Sequence, residues 1–180
     1  MSTKLASALR AANIRRVLIV RHGNTNKAEV DADRQLTEKG HRQCELFHQH
    51  YADLLTTVTL VLASSAKRTM ATASLIMPEA SPVGVDDLYF VRPWRTEEMV
   101  AADRALGYAP ISAFIEQFPG VHAPAGQAQA NAVADALRGR DPAGALLICG
   151  HAVQPCGYPN PRDLSLWPHA VLERTRHRAT

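Results

Sequence analysis

The amino-acid sequence predicts a single three-layer α/β domain, with a mainly parallel sheet flanked by helices. Three short runs, composed mostly of Val, Ile, Leu and Ala, recur along the chain at 17–20, 58–62 and 145–149. Continuous apolar runs of this kind suit strands that are buried on both faces of a parallel sheet. Segments with helical spacing separate the runs, and strands that alternate with helices are typical of a layered α/β domain.

The helices between these strands are predicted from capping residues and apolar spacing. Thr37 is placed to cap a helix whose first turn carries Glu38, where a carboxylate complements the helix dipole. A second helix is predicted over about 67–77 and is ended by Pro78. The remaining predicted helices cover 97–106, 111–117 and 127–137.

The sequence predicts three segments along the chain. Residues 16–153 contain all three apolar runs and form the predicted domain, whereas residues 1–15 form a basic N-terminal segment. The spacing of apolar residues in that segment predicts a short surface helix. Residues 154–180 form an atypical proline-rich and basic tail, in which four prolines disfavour regular structure before Pro168. The tail is therefore expected either to lack a final strand or to be rebuilt and docked elsewhere.

Composition and charge limit the classes of function. The chain has 180 residues, of which 46% are hydrophobic and 21% charged, and its net charge is +3. That small excess fits an anionic substrate, and no nucleic-acid partner is expected because the sequence lacks an aromatic and basic platform. No apolar run approaches the roughly 20 residues that a membrane-spanning helix needs. The oligomeric state is left open.

The cysteine and histidine spacings do not predict a metal site. The three cysteines form no CxxC pair, which favours free thiols in a reducing compartment. The cytoplasm is the expected location because no convincing signal sequence appears. The basic N-terminus leaves an organellar location as the alternative. His48 and His50 are two residues apart and do not share a helix face, so no metal ligand set is predicted.

Three polar clusters follow the predicted strands. They are Arg21-His22-Gly23, Ser65-Ala66-Lys67-Arg68 and Gly150-His151. Because ligands bind at the carboxyl edge of open α/β sheets, we expect these residues to form one cationic pocket. Guanidinium groups match phosphate oxygens bidentately, so the pocket favours a phosphoryl group.

The histidine in the first cluster is the candidate nucleophile. A ring nitrogen of His22 held beside phosphate oxygens can attack phosphorus and form a phosphohistidine. Nearby arginines should lower the pKa of His22 and keep this nitrogen unprotonated near neutral pH. Fixed positive charge supplies most of the expected rate gain, so neither a metal nor another cofactor is predicted.

At these residues the chain resembles the histidine phosphatase superfamily, which includes cofactor-dependent phosphoglycerate mutases. The similar sequence segments are VLIVRHGNTN at 17–26, LTEKG at 36–40, SSAKRTMATA at 64–73 and LLICGHA at 146–152. The resemblance implies a phosphoglycerate mutase-like fold and, in size, the small phosphohistidine phosphatase branch. It also implies His22 as phospho-acceptor, with Arg21, Arg68 and His151 in the phosphate pocket. Gly23 and Thr25 are the implied substrate-binding residues.

One position departs from the family pattern. Many members carry a glutamate that protonates the leaving group, whereas the corresponding text here places Phe90 at that position. Four acidic residues are alternative donors, namely Asp86, Asp87, Glu97 and Glu98. Acid assistance typically raises the reaction rate by about 10²–10⁴-fold. Its loss therefore favours substrates in which the phosphate is attached to a good leaving group.

The sequence therefore predicts a metal-independent phosphatase that forms a phosphohistidine intermediate and acts on an activated or protein-borne phosphate. Its expected partner is a phosphorylated small molecule or a phosphoprotein. The alternative is a non-catalytic phosphatase-fold protein that binds phospho-ligands or assembles into a larger complex. A mutase is a weaker alternative, because the segment between 80 and 124 offers little lid.

Overall fold

The computed structural model describes residues 3–89, 116, 119–151 and 169–173. In this part of the chain five strands form one sheet in the order β3-β2-β4-β1-β5. Strands β1 to β4 pair in parallel, and β5 pairs antiparallel with β1. The sequence prediction of an α/β domain with a mainly parallel sheet is confirmed. The strands are β1 Arg16–Arg21, β2 Val58–Ser64, β3 Val83–Val85, β4 Ala145–Gly150 and β5 His169–Glu173.

Helices cover both faces of the sheet. They are α1 Thr3–Ala11, α2 Glu38–His50, α3 Ala52–Leu55, α4 Lys67–Ile76 and α5 Pro119–Ala136, with 3₁₀ turns at Asp31–Asp33 and Asp86–Leu88. Strand β4 shows the layering most directly. Leu147 and Cys149 pack into the core with α2 and α4, whereas Leu146 and Ile148 pack into a second core on the opposite face with α5. Alternate side chains of a strand point to opposite faces, so this division makes a three-layer domain.

The predicted helix starts agree with the structure where a capping residue marks them. The Thr37 side chain accepts a hydrogen bond from the Gly40 N–H at 3.2 Å and caps α2. The prediction for α5 was wrong at its start, which lies at Pro119 rather than at 127. Pro124 and Gly126 both weaken a helix interior, so the local sequence does not indicate the true start. The fixed φ of proline is nevertheless helical, and the packed C-terminal half of α5 stabilises the whole element.

The ends of the chain contribute to the same domain. Helix α1 packs Leu5, Ala8 and Leu9 on the core that contains α5, as its apolar spacing predicted. Strand β5 begins directly after Pro168 and pairs with β1 from Val20↔His169 to Arg16↔Glu173. The expectation that the final strand is absent, or that the tail docks elsewhere, was therefore wrong at residues 169–173, which form the edge strand. Pro168 precedes β5, so the N–H that proline lacks is not needed for this pairing. The division into three segments stays a prediction. The predicted helix over 97–106 and nearly all of the one over 111–117 lie outside the described residues.

None of the helices in the described part of the chain is both long and apolar enough to cross a membrane.

Candidate active site

The carboxyl ends of β1, β2 and β4 bring three of the predicted residues together. His22 follows β1 and His151 follows β4, and the His22 backbone N–H donates to the Gly150 carbonyl at 3.0 Å. The two imidazole centroids are 5.3 Å apart in an edge contact. Arg68, in the first turn of α4 after β2, donates from its guanidinium to His151 Nδ1 at 3.2 Å. One cationic cluster therefore lies at the edge of the sheet where ligands bind in such folds.

His22 has one ring nitrogen engaged and the other available. Nδ1 lies 2.8 Å from the Gly23 carbonyl, which accepts only, so Nδ1 carries the proton and Nε2 the lone pair. The pKa of His22 is lowered to about 4, chiefly by burial and also by the positive charges of Arg68 and Arg21, while the hydrogen bond to Gly23 acts in the opposite direction. The imidazole is therefore neutral at neutral pH, and this is the form in which a ring nitrogen acts as a nucleophile.

A buried hydrogen-bond chain fixes the tautomer of His151. Because Nδ1 accepts from Arg68, the proton is on Nε2, which donates to Ser64 Oγ at 2.7 Å. Ser64 Oγ lies 2.8 Å from Thr69 Oγ1, which donates to the Ala66 carbonyl at 2.7 Å. Burial and the positive charge of Arg68 lower the pKa of His151 to about 3. The imidazole thus holds the arginine in place as a neutral acceptor.

Arg68 is 3% exposed and is bound by a carboxylate that the sequence did not point to. Its guanidinium donates to Asp31 Oδ2 at 2.8 Å and to the Asp31 backbone carbonyl at 2.5 Å. The Tyr89 hydroxyl also donates to Asp31 Oδ2, at 2.5 Å. Burial raises the pKa of Asp31, but the hydrogen bonds from Tyr89 and Arg68 outweigh it and lower that pKa to about 2. Asp31 is therefore ionised near neutral pH.

A second missed arginine organises the loop between β1 and α2. Arg34 donates to Thr25 Oγ1 at 2.5 Å, to the Asn26 carbonyl at 2.9 Å and to Asp31 Oδ1 at 3.3 Å. The predicted substrate-binding residue Thr25 therefore accepts a hydrogen bond within the loop network. An ion pair of 2.7 Å between Lys67 and Asp33 joins the same loop to α4. These contacts fix the 3₁₀ turn over the carboxyl edge of the sheet.

The other two predicted residues act on the pocket through charge and through close packing. Arg21 is exposed at the end of β1, and its charge lowers the pKa of His22. The Gly23 N–H donates to Thr72 Oγ1 at 3.1 Å, so α4 holds the backbone beside the candidate nucleophile. A Cβ on Gly23 would lie 2.9 Å from the Gly40 carbonyl oxygen, which leaves no room for a side chain.

The predicted proton donors do not enter this cluster where the structure describes them. Asp86 and Asp87 are exposed in the 3₁₀ turn after β3, while Phe90, Glu97 and Glu98 lie outside the described residues. Tyr89 instead supplies the hydroxyl that reaches the cluster. Burial, then the hydrogen bond to Asp31, raises the pKa of Tyr89, so its proton stays on the phenol.

No group of three or more potential ligands among the described residues could hold a metal ion. Cys44 and Cys149, the two cysteines in this part of the chain, are buried free thiols. Burial raises the pKa of both thiols, which keeps them protonated. Their place is in the core behind the cluster rather than among its charged groups.

Replacement of Gly40 by alanine should destabilise the protein and displace the loop that carries His22. A Cβ at Gly40 would lie 2.2 Å from the Asn24 carbonyl oxygen, so the backbone must shift. We expect a loss of about 3 kcal/mol in the free energy of unfolding, measured by urea denaturation. Gly126→Ala is the control, since a Cβ there meets nothing within 4 Å. The free energy of unfolding of Gly126→Ala should rise by about 0.5–1 kcal/mol, because alanine favours a helix more than glycine does. Equal effects of the two substitutions would contradict the packing argument.

The neutral histidines predict that the protein loses stability on acidification. The folded pKa values of His22 and His151 are lowered to about 4 and about 3 from an ordinary 6.5, so the unfolded chain binds protons that the folded chain does not. Stability from this source is fully present above pH 6.5 and is lost as the pH falls through 6.5 towards 4. We expect the titration of His22 alone to lower the free energy of unfolding by about 2–3 kcal/mol between neutral pH and pH 4. Urea unfolding at several pH values measures this loss.

The variant His22→Gln removes one of the two titrations and should reduce the slope of stability against pH in that window. A wild-type free energy of unfolding that stays constant between about pH 7 and 4 would contradict the assignment of neutral buried histidines.

The fold and the cluster define the class as an α/β protein of the phosphoglycerate mutase-like kind, with two histidines and an arginine at the carboxyl edge of its sheet. Residues 17–88 match the histidine phosphatase superfamily (branch 1). This segment carries β1 to β3 together with His22 and Arg68. The match confirms the resemblance seen in the sequence and points to phosphatase activity in general. No curated protein matches the chain by sequence.

Two solved phosphatase structures with low sequence identity share the fold, and a third matches with a lower TM-score. Mycobacterial glucosyl-3-phosphoglycerate phosphatase is 18% identical with a TM-score of 0.53, and the alignment covers 77% of each chain. Phosphoserine phosphatase from Entamoeba histolytica is 17% identical with a TM-score of 0.52, covering 77% of this chain and 74% of that one. The putative phosphohistidine phosphatase SixA from Agrobacterium tumefaciens is 20% identical with a TM-score of 0.44, covering 76% and 69%.

Proposed function

We propose that the protein is a metal-independent phosphatase in which His22 carries the phosphoryl group during turnover. The observation that carries the proposal is the state of His22: a neutral imidazole with Nδ1–H on the Gly23 carbonyl and its Nε2 lone pair uncommitted by that bond. The His151 ring lies edge-on to the His22 ring and holds the Arg68 guanidinium through Nδ1, so Arg68 supplies positive charge beside the proposed phosphoryl acceptor. The family match over 17–88 supports this assignment.

The chemistry follows in two steps. In the first, Nε2 of His22 forms a bond to phosphorus as the bond from phosphorus to the leaving group breaks. The phosphorylated ring is cationic because Nδ1 keeps its proton, and the Gly23 carbonyl stabilises that charge. In the second, water attacks phosphorus, the N–P bond breaks and the neutral imidazole returns with inorganic phosphate as product.

Fixed positive charge supplies most of the proposed stabilisation. The charges of Arg68 and Arg21 both lower the pKa of His22, so both raise the electrostatic potential at its ring. Donors already in position act on the transferring oxygens without reorganisation, and one such donor is typically worth about 10²–10³-fold. His151 contributes by holding the guanidinium of Arg68 through Nδ1. In this proposal Thr25 and Gly23 shape the loop beside the phosphoryl group.

The proposed substrate carries its phosphate on a good leaving group, either in an activated small molecule or on a protein side chain. Among the described residues, the carboxylate in the cluster is Asp31, whose pKa is lowered to about 2, so it holds no proton to give near neutral pH. The Tyr89 proton is directed to Asp31, and the Tyr89 pKa is raised. Aryl phosphate, acyl phosphate and phosphohistidine need less acid help than an alkyl phosphate.

A substrate series tests this proposal. Hydrolysis of p-nitrophenyl phosphate, acetyl phosphate and a phosphohistidine peptide should exceed hydrolysis of glycerol phosphate by about 10² in kcat/KM or more. All of these activities should vanish in His22→Ala. An alkyl phosphate that is turned over as well as the activated ones would overturn the proposed substrate class.

A non-catalytic phospho-ligand-binding protein is the second candidate. The observation that favours it is Arg68, which is held by Asp31 and His151 rather than exposed to solvent. A wild-type protein that binds inorganic phosphate but hydrolyses none of the series would establish this reading.

A further inference from the structure

The described hydrogen bonds of the Arg68 guanidinium are all made to other residues of the chain. Two of its nitrogens donate to the Asp31 carbonyl, to Asp31 Oδ2 and to His151 Nδ1. Its third nitrogen, Nε, is buried without a hydrogen-bond partner among the residues that the structure describes. An unpaired buried donor is unfavourable. The guanidinium therefore keeps one buried donor that its described contacts leave unsatisfied.

Asp31 is surrounded by donors of the kind that bind a phosphoryl group. Its two carboxylate oxygens accept from the Tyr89 hydroxyl, from the Arg68 guanidinium and, at 3.3 Å, from Arg34. The carboxylate lies in a 3₁₀ turn of the loop between β1 and α2, outside the packed sheet. It is about one third exposed on its side chain, whereas Arg68 is almost fully buried. Of these two partners, the carboxylate is the one placed to move.

We propose that Asp31 is a specificity-determining residue that occupies the face of Arg68 which the phosphoryl group of the substrate takes. The inference rests on the proposed function of the pocket. A ligand must displace the carboxylate from Arg68 and Tyr89, so a phosphate dianion is admitted and a singly charged phosphodiester is excluded. A phosphomonoester dianion carries one more negative charge than a carboxylate and can accept bidentately from a guanidinium, so it is expected to compete for Arg68 better than a singly charged ligand does.

A purely structural role for Asp31 predicts the opposite sign. If Asp31 only positioned Arg68, its loss would loosen the guanidinium and weaken phosphate binding. If Asp31 competes with the ligand, its loss frees donors and strengthens phosphate binding. The direction of the change therefore separates the two roles.

Binding of inorganic phosphate by calorimetry tests the proposal, with Asp31→Asn compared with wild type at pH 7. We expect the dissociation constant to fall about tenfold, and the binding of dimethyl phosphate to become measurable. Asp33→Asn is the matched control, because it removes the same charge from the same turn but touches Lys67 rather than Arg68. The control should stay within about twofold of wild type. An unchanged or weaker affinity in Asp31→Asn would overturn the proposal.

A second measurement uses the wild-type chain and so does not depend on the folding of a variant. Saturating inorganic phosphate should shift the carboxyl ¹³C resonance of Asp31 together with the Nε–H resonance of Arg68. An Asp31 resonance that does not move while Arg68 responds would overturn the displacement. These readouts measure binding, so a protein that hydrolyses nothing but shows both effects would refute the proposed function and leave the role of Asp31 standing.

Discussion

Substitution of His22 by alanine should lower kcat/KM for p-nitrophenyl phosphate by about 10³-fold or more. The expected loss is this large because no other neutral ring nitrogen is arranged as a nucleophile in the described cluster: His151 uses Nε2 on Ser64 and Nδ1 on Arg68. Release of p-nitrophenol measures the effect. The backbone of His22, which bonds to Gly150, is unchanged by the substitution.

The matched control is His41→Ala, which removes an imidazole from the exposed face of α2. That variant should retain wild-type activity. A His22→Ala protein that keeps more than about a tenth of wild-type kcat/KM, with its fold intact by circular dichroism, would contradict the role of nucleophile.

Substitution of Arg68 by lysine should be the second largest loss, at about 10²–10³-fold in kcat/KM. Lysine keeps the charge, but it cannot reproduce the geometry in which one guanidinium bonds to Asp31 and His151 at once. The expected loss therefore comes from misplaced donors rather than from missing charge. Steady-state kinetics on p-nitrophenyl phosphate measure it, and the free energy of unfolding is measured beside them.

Lys67→Gln is the control for this substitution, because Lys67 is the exposed neighbour whose described ion pair is with Asp33. It should change kcat/KM by less than about twofold. If Arg68→Lys and Lys67→Gln gave equal activity, positive charge near the first turn of α4 would be sufficient and the bidentate arrangement would have no role.

The sequence was sufficient where the pattern that determines an element is local. Strands β1, β2 and β4 each contain a run dominated by apolar residues, and α2 begins at a threonine cap, so both kinds of element were predicted close to their bounds. The placement of His22 and His151 followed from strand ends, because parallel strands deliver their last residues to one edge. Arg68 followed from its place in the helix after β2.

The residues that the sequence did not reveal act through contacts between distant segments. Asp31 and Tyr89 meet across 58 positions of sequence, and Ser64 reaches His151 across 87. The periodicity of a sequence does not indicate which distant residues meet. Ser64 did offer one signal, because a polar residue at the end of a buried apolar run needs a hydrogen-bond partner. Strand β3 has three residues, of which one is glycine, so its pattern was too short to predict.

Trapping of the phosphoryl-enzyme tests the central claim most directly. Wild-type protein is incubated with ³²P-labelled acetyl phosphate, quenched in alkali and digested, and the labelled peptide is sequenced. Since Nε2 of His22 is the proposed acceptor, the label should be stable to alkali, labile to acid, located on the peptide that contains His22 and absent from His22→Ala. Label that persists in His22→Ala, or turnover of the substrate with no label on the His22 peptide, would contradict the account.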